Sequence, residues 1–171
     1  MSTVTPAPVT IRKDALLVPL HRDAAPGALQ TEQYAPAYLA LVSNAMSWGS
    51  SAVLRDTFGI GLNDWRVVAA LAMRPGLTSG GLTQLLGLTK SVVSRSTTSL
   101  TGAELVGSEE DGGARLLYLT DRGLELYHRV LPTALVRQET LLAGFSGEER
   151  AELMGYLVRM YRNLKPPASP E

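Results

Sequence analysis

The sequence predicts a mostly α-helical fold with a small β-hairpin wing: a winged helix-turn-helix with flanking dimerisation helices. Three observations carry this reading. Residues 62–123 hold three short amphipathic segments, each opened by a helix-capping residue. The third has one apolar face and one small, hydroxyl-rich face. Two apolar runs, Leu105-Val106 and Leu116-Leu117-Tyr118-Leu119, then bracket an acidic, glycine-rich stretch, which is a hairpin signal.

Composition bounds the alternatives. At 171 residues, 45% hydrophobic and 19% charged, the chain can bury a real core as one domain with appendages. It has no cysteine, which excludes disulfides, thiolate metal sites and thiol redox switching. His21 and His128 are too far apart to form a local metal motif, and no cofactor is implied. No run approaches the ~18 apolar residues of a membrane span, and the start is unlike a signal peptide. A cytoplasmic setting with no membrane partner is expected. Net charge is formally zero, with 16 basic and 16 acidic residues. Phosphate contacts supply much of nucleic-acid affinity, so a DNA-binding role would need its charge gathered on one face.

The elements follow in order. Residues 1–33 are rich in proline and contain one apolar run, Ala15-Leu16-Leu17-Val18. They form either a mobile tail or an arm that docks on a partner subunit. A long apolar helix runs from Tyr34 to Phe58 through Tyr38, Leu41, Val42, Ala45, Trp48, Ala52 and Leu54. With few charges, it is expected to be buried on more than one side. Asn63 is expected to cap the second helix, at 63–73, with Val67, Val68 and Leu71 inward. Thr78 caps a third helix that stops at Gly87, and Thr89 caps a fourth at about 90–103. The acidic loop after it is expected to be longer than a two-residue turn. Thr120 opens a helix to about Ala143, bent at Pro132, with Leu124, Tyr127, Leu131, Leu135 and Leu142 on its apolar stripe. Ser146 and Glu149 make a capping box for a last helix carrying Leu153, Leu157, Met160 and Leu164. The divisions are an arm at 1–33, a body at 34–165 and a tail at 166–171. Within the body, a DNA-reading unit spans about 62–122, between dimerisation helices at about 36–58 and 121–164.

The fourth helix carries the chemistry. Val93, Thr97 and Leu100 point to the core by their spacing. Lys90, Ser91, Ser94, Arg95 and Thr98 share the opposite face. A winged helix-turn-helix lays this helix in the DNA major groove. There, serine and threonine can bond phosphates or base edges, and an arginine can fork onto guanine. Lys90 sits where a phosphate would meet the helix N-terminus. Arg115, near the wing tip, either reaches a minor groove or phosphate, or pairs with Glu109, Glu110 or Asp111. The flanking apolar helices exceed what such a unit needs, and a symmetric homodimer on a pseudo-palindromic double-stranded site would bury them.

Residues about 36–164 resemble the MarR family of transcriptional regulators. The resemblance rests on Leu62-Asn63-Asp64-Trp65-Arg66-Val67-Val68, Leu82-Thr83-Gln84-Leu85-Leu86-Gly87-Leu88, Ser91-Val92-Val93-Ser94-Arg95, and Asp111 with Leu119-Thr120-Asp121-Arg122-Gly123. It implies a homodimeric, often repressing regulator released by a small aromatic or phenolic effector. It also implies an effector pocket where the dimer helices meet the reading unit, with Trp48, Trp65 and Arg66 as candidates. An aromatic wall and a cation suit an aromatic carboxylate. Trp65 has an equally simple place in the core, and Arg66 a partner among acidic neighbours. Two departures stand out. Gly112 and Gly113 replace wing arginines common in the family, and the recognition helix ends in Thr98-Ser99 and Thr101-Gly102 rather than in charge. Arg12 and Lys13 in the arm are available to compensate. The glycine wing and zero net charge favour one alternative, a winged-helix protein–protein adaptor with weak or no DNA binding. An enzyme is not expected: no nucleophile–base pair, phosphate loop or metal cluster is visible.

Overall fold

A computed structural model describes residues 23–164. The expected arm contacts of Arg12 and Lys13, the apolar run at 15–18, His21 and the tail at 166–171 lie outside the described residues. The chain divides into two compact units, Met1–Ala45 and Met46–Glu171. In the first, a 3-10 turn at Thr31–Gln33 leads into α1, Ala35–Phe58, where Tyr38, Leu41 and Val42 are exposed.

The second unit holds the end of α1 and all later elements: α2 (Leu62–Met73), α3 (Ser79–Leu86), α4 (Lys90–Gly102), β1 (Val106–Asp111), β2 (Ala114–Leu119), α5 (Asp121–Leu141) and α6 (Gly147–Leu164). Its main core gathers Val67, Val68, Ala70 and Leu71 of α2, Leu82 of α3, Val93 and Leu100 of α4, Val106 and Leu117. Each Val or Leu fully buried here contributes roughly 1.5–3 kcal/mol of transfer free energy. A second cluster joins Leu54, Ile60, Leu126 and Val130. Trp65 and Leu105 pack against both clusters and so tie α2 and the wing base to α5.

The wing is tighter than expected. β1 and β2 pair antiparallel from Val106↔Leu119 to Asp111↔Ala114, leaving a two-residue turn. Gly112 and Gly113 have φ of 56° and 81°. A type I′ hairpin needs positive φ at both central positions, which two glycines supply without steric cost. The acidic residues therefore belong to a paired strand rather than to a loop. A third edge adds to the sheet where Leu117 N–H donates to Leu77 O at 3.0 Å and Gly76 N–H donates to Leu117 O at 3.0 Å.

Two further expectations, the cap of α2 and the burial of α1, are corrected. Helix α2 starts one residue early and Gly61, not Asn63, is its cap: Gly61 N–H donates to the Asp64 carboxylate at 3.1 Å. Asn63 lacks the extended backbone of a cap because it already lies in the first turn. On α5 the buried residues are Gly123, Leu126 and Val130, while Leu124 and Leu135 are exposed. Leu124 and Leu135 of the expected stripe thus lie outside this core. In α1 Leu54 alone is buried, and Trp48 is 78% exposed. A residue of an apolar helix is buried only where another element opposes it, and in α1 that holds for Leu54, which packs with Ile60, Leu126 and Val130. The capping box at Ser146 holds as expected, with Ser146 N–H donating to Glu149 Oε2 at 2.7 Å and Glu149 N–H to Ser146 Oγ at 3.2 Å. Helix α5 runs through Pro132 as one assigned helix.

Candidate nucleic-acid interface

The α3–α4 pair is set by local chemistry. Thr78 Oγ1 accepts from Gly81 N–H at 3.1 Å and opens α3. Gly87 closes it in the left-handed region, φ 63°, where a side chain would be strained. Two residues later Thr89 caps α4, accepting from Val92 N–H at 3.4 Å. This short turn fixes the angle at which α4 leaves α3. The core then holds α4 by Val93, Ser96 and Leu100, all buried. Ser96 was not legible as an inward residue. Thr97, expected inside, is half-buried and turns its hydroxyl onto the carbonyls of Val93 and Ser94 at 3.0 Å each.

The opposite face stands clear of the core. Lys90, Ser91, Ser94, Arg95 and Thr98 are all exposed. Helix α4 contains Lys90 and Arg95 and no acidic residue, so its outer face is positive. The unpaired amides of its first turn add partial positive charge beside Lys90. Ser91 Oγ lies 3.1 Å from Thr89 Oγ1, which orients it at the helix start. Arg95 Nε–H donates to Ser91 O at 3.4 Å, so the side chain lies back along the helix. Its two terminal nitrogens keep their donors for a ligand.

The wing contrasts with this face. Arg115 is exposed and donates Nε–H to Ser108 Oγ at 2.9 Å. It forms no ion pair with Glu109, Glu110 or Asp111, although Glu110 is its register partner. These three carboxylates stay exposed near the tip. The cationic helix face and the anionic wing strand thus sit in one unit.

The candidate effector residues do not converge on the cleft visible in this unit. Trp65 is half-buried and stacks on Tyr127, with centroids 5.7 Å apart and an 18° interplanar angle. Tyr127 in turn meets His128 edge-on at 5.4 Å. Arg66, one residue from Trp65, contacts Asn63 Oδ1 at 3.5 Å rather than a carboxylate. Trp48 stands on the exposed surface of α1. Next to it Arg137 donates Nη2–H to Met46 O at 2.7 Å and lies over Gly49, a link between α5 and α1 that spacing did not reveal. A cleft of about 310 Å³ lies elsewhere, between the α1–α2 turn, the end of α4 and α5. Among the described residues no group of three or more acidic or histidine side chains could hold a metal, and no helix is long and apolar enough to cross a membrane.

Comparison with known proteins agrees with this architecture. Residues 58–115 match the family model described as MarR family. No curated protein sequence matches the chain significantly. A MarR/EmrR family transcriptional regulator from an Acinetobacter species is 26% identical, with a TM-score of 0.75 over 80% of this chain and 98% of that one. MepR from S. aureus, solved as a DNA complex, is 21% identical, with a TM-score of 0.70 over 80% of this chain and 100% of that one. PcaV from Streptomyces coelicolor, solved with its natural ligand, is 21% identical, with a TM-score of 0.68 over 81% of this chain and 99% of that one. The last two likenesses establish the fold alone.

Proposed function

We propose, from the premise that residues 58–115 carry a MarR-type winged helix, that this protein is a dimeric DNA-binding transcriptional regulator. The observation that carries the proposal is the outer face of α4. Lys90, Ser91, Ser94, Arg95 and Thr98 stand exposed on a helix whose other side is locked into the core. On this reading Arg95 reads a base edge, and Lys90 holds a phosphate at the helix start. Ser91, Ser94 and Thr98 bond backbone or bases, and Arg115 adds a wing contact. The cognate site is a pseudo-palindrome, matched to the two-fold axis of a homodimer. The protein works in the cytoplasm, with its DNA.

The dimer is supported by the apolar surface of the second unit, where Leu135, Val136, Met154, Leu157 and Met160 are exposed. We read the regulator as a repressor released by a small aromatic or phenolic ligand near Trp48, Trp65 and Arg66. That the PcaV structure holds a natural ligand supports a ligand-responsive reading. The decisive experiment is binding of the full chain to its own promoter region, followed by fluorescence anisotropy against a random-sequence duplex. Selective binding is expected, lost in the Arg95→Ala variant. Equal, weak affinity for both duplexes would replace this reading with a second one. In that reading the protein is a winged-helix adaptor for other proteins. The carboxylates of Glu109, Glu110 and Asp111, exposed where DNA would run, specifically favour it.

A further inference from the structure

The wing divides its charge between two faces. Side chains alternate along a strand, and register partners share a face. Val106 stands opposite Leu119, Ser108 opposite Leu117 and Glu110 opposite Arg115, so these six residues lie on one face of the hairpin. Val106 and Leu117 carry that face into the core, which makes it the side turned toward the helices. Glu109 and Asp111 belong to the other face, with Ala114 and Leu116. Within the hairpin, Arg115 therefore has one carboxylate on its own face, that of Glu110, directly across the ladder.

Opposite charges placed directly across a ladder attract, and Glu110 is the obvious partner for Arg115. Arg115 does not take it. It donates Nε–H to Ser108 Oγ at 2.9 Å, two residues nearer the wing base than Glu110, and Glu110 forms no ion pair among the described residues. The balance between the two partners is fine. An exposed ion pair gains little over the entropy of ordering two long side chains, whereas a serine side chain is short and loses little freedom. The choice matters to the guanidinium. A carboxylate occupies its N–H fork and offsets its charge. A single bond from Nε leaves both terminal nitrogens free to donate and the positive charge uncompensated.

We infer that Ser108 is a positioning residue of the wing: its hydroxyl holds Arg115 toward the wing base, keeps it from pairing with Glu110, and so presents the guanidinium to a phosphate. What Arg115 binds rests on the regulator reading; the competition between Ser108 and Glu110 for Arg115 does not. Ser108 acts here through Arg115, without touching DNA itself. Glu110 is the residue that captures Arg115 when the hydroxyl is removed.

The test measures Ser108→Ala in three backgrounds, by anisotropy of the full chain on its promoter duplex at several salt concentrations. In the parent it should weaken binding at least about threefold and lower the salt slope by about one per half-site, as loss of a phosphate contact does. The melting temperature should stay at the parent value, because Ser108 is exposed. In a Glu110→Gln background the same change should leave affinity and slope as they were, because no carboxylate remains to capture Arg115. In an Arg115→Gln background it should likewise change nothing. An equal loss in the parent and in the Glu110→Gln background overturns the inference, since Ser108 would then act on DNA or on the strand itself. No loss in the parent overturns it as well. Nuclear Overhauser contacts of the Arg115 side chain, recorded without DNA, read the same competition. They should run to the Ser108 β-protons in the parent and to the Glu110 γ-protons in Ser108→Ala. Contacts to Glu110 in the parent, or none to Glu110 in the variant, overturn the inference. A parent that binds no DNA would defeat the regulator reading, and these contacts would still decide for or against Ser108.

Discussion

The α-carbon of Gly123 lies so close to the Leu105 carbonyl that a β-carbon there would stand 2.0 Å from the oxygen. The same carbonyl accepts Thr120 N–H at 3.1 Å. Thr120 Oγ1 donates to Glu104 O at 2.7 Å and accepts from Gly123 N–H at 3.1 Å. Cap, close approach and strand end thus form one joint between the wing base and α5. Gly123→Ala must push backbone from backbone, which repacking cannot relieve. We expect a loss of about 3 kcal/mol or more, at the upper end of overpacking costs. Thr120→Val should cost about 1–2 kcal/mol, as loss of a cap does. Urea unfolding checks both, and an unchanged midpoint for Gly123→Ala would show that the joint yields.

Much of this is legible in the sequence, for identifiable reasons. Thr78, Thr89, Thr120 and Ser146 each act as caps because a side-chain oxygen next to a helix start has few other uses. The order of helices and hairpin followed from period and punctuation. What stayed hidden depends on three-dimensional neighbours. Glycine in Leu119-Thr120-Asp121-Arg122-Gly123 looks like any small residue until Leu105 is placed against it. Asn63 looks like a cap as good as Gly61, because a glycine cap leaves no side-chain signature; the clue was Asp64 three residues on. The link from Arg137 to Met46 O spans 91 positions, beyond any local pattern. On the candidate interface, spacing gives the exposed set on α4, but the inward Ser96 is hidden because serine carries no hydrophobic signal.

The face of α4 separates two kinds of contact. Arg95→Ala should weaken operator binding by about 1–3 kcal/mol per half-site and relax sequence preference. Lys90→Ala should weaken all sequences alike and flatten the dependence of affinity on salt. Anisotropy titrations at several salt concentrations, on operator and scrambled duplexes, distinguish them. An Arg95→Ala variant with its fold intact and its selectivity unchanged would remove Arg95 from the reading face.

The wing strand should work against DNA affinity rather than for it. Glu109, Glu110 and Asp111 are exposed and unpaired among the described residues. A unit charge about 10 Å from a phosphate in water is worth about 0.4 kcal/mol, or about twofold in affinity. Glu109→Gln with Asp111→Asn should therefore tighten binding about fourfold per half-site at low salt. The gain should shrink as the screening length falls to about 8 Å near physiological ionic strength. Weaker binding by the double variant would place these carboxylates in direct contact with the ligand or with Arg115.

The last helix gives the strongest reason to expect a second copy of the chain. Helix α6 spans 18 residues, and none of them is buried. An isolated helix of that length is marginal in water, so packing must hold it. Within the protomer, its start is tied down by Arg150, which meets both Glu139 carboxylate oxygens at 3.0 and 2.8 Å and the carbonyls of Leu142 and Phe145 at 3.3 Å. At its far end Leu157, Met160 and Leu164 remain exposed. A dimer that covers them with the outer side of α5 would bury more than about 2,000 Å² in total, the range of obligate pairs. Leu157→Glu with Met160→Glu places two charges in that interface. It should halve the mass seen by light scattering at micromolar concentration. Because folding and assembly are linked, it should also lower the melting temperature and remove its dependence on protein concentration. The winged-helix core of Val67, Leu71, Leu82 and Leu100 is untouched by these substitutions, so helical circular dichroism should fall only in part. A parent protein that is monomeric at micromolar concentration, or a double variant that remains a dimer, would rule out α6 as the dimer contact.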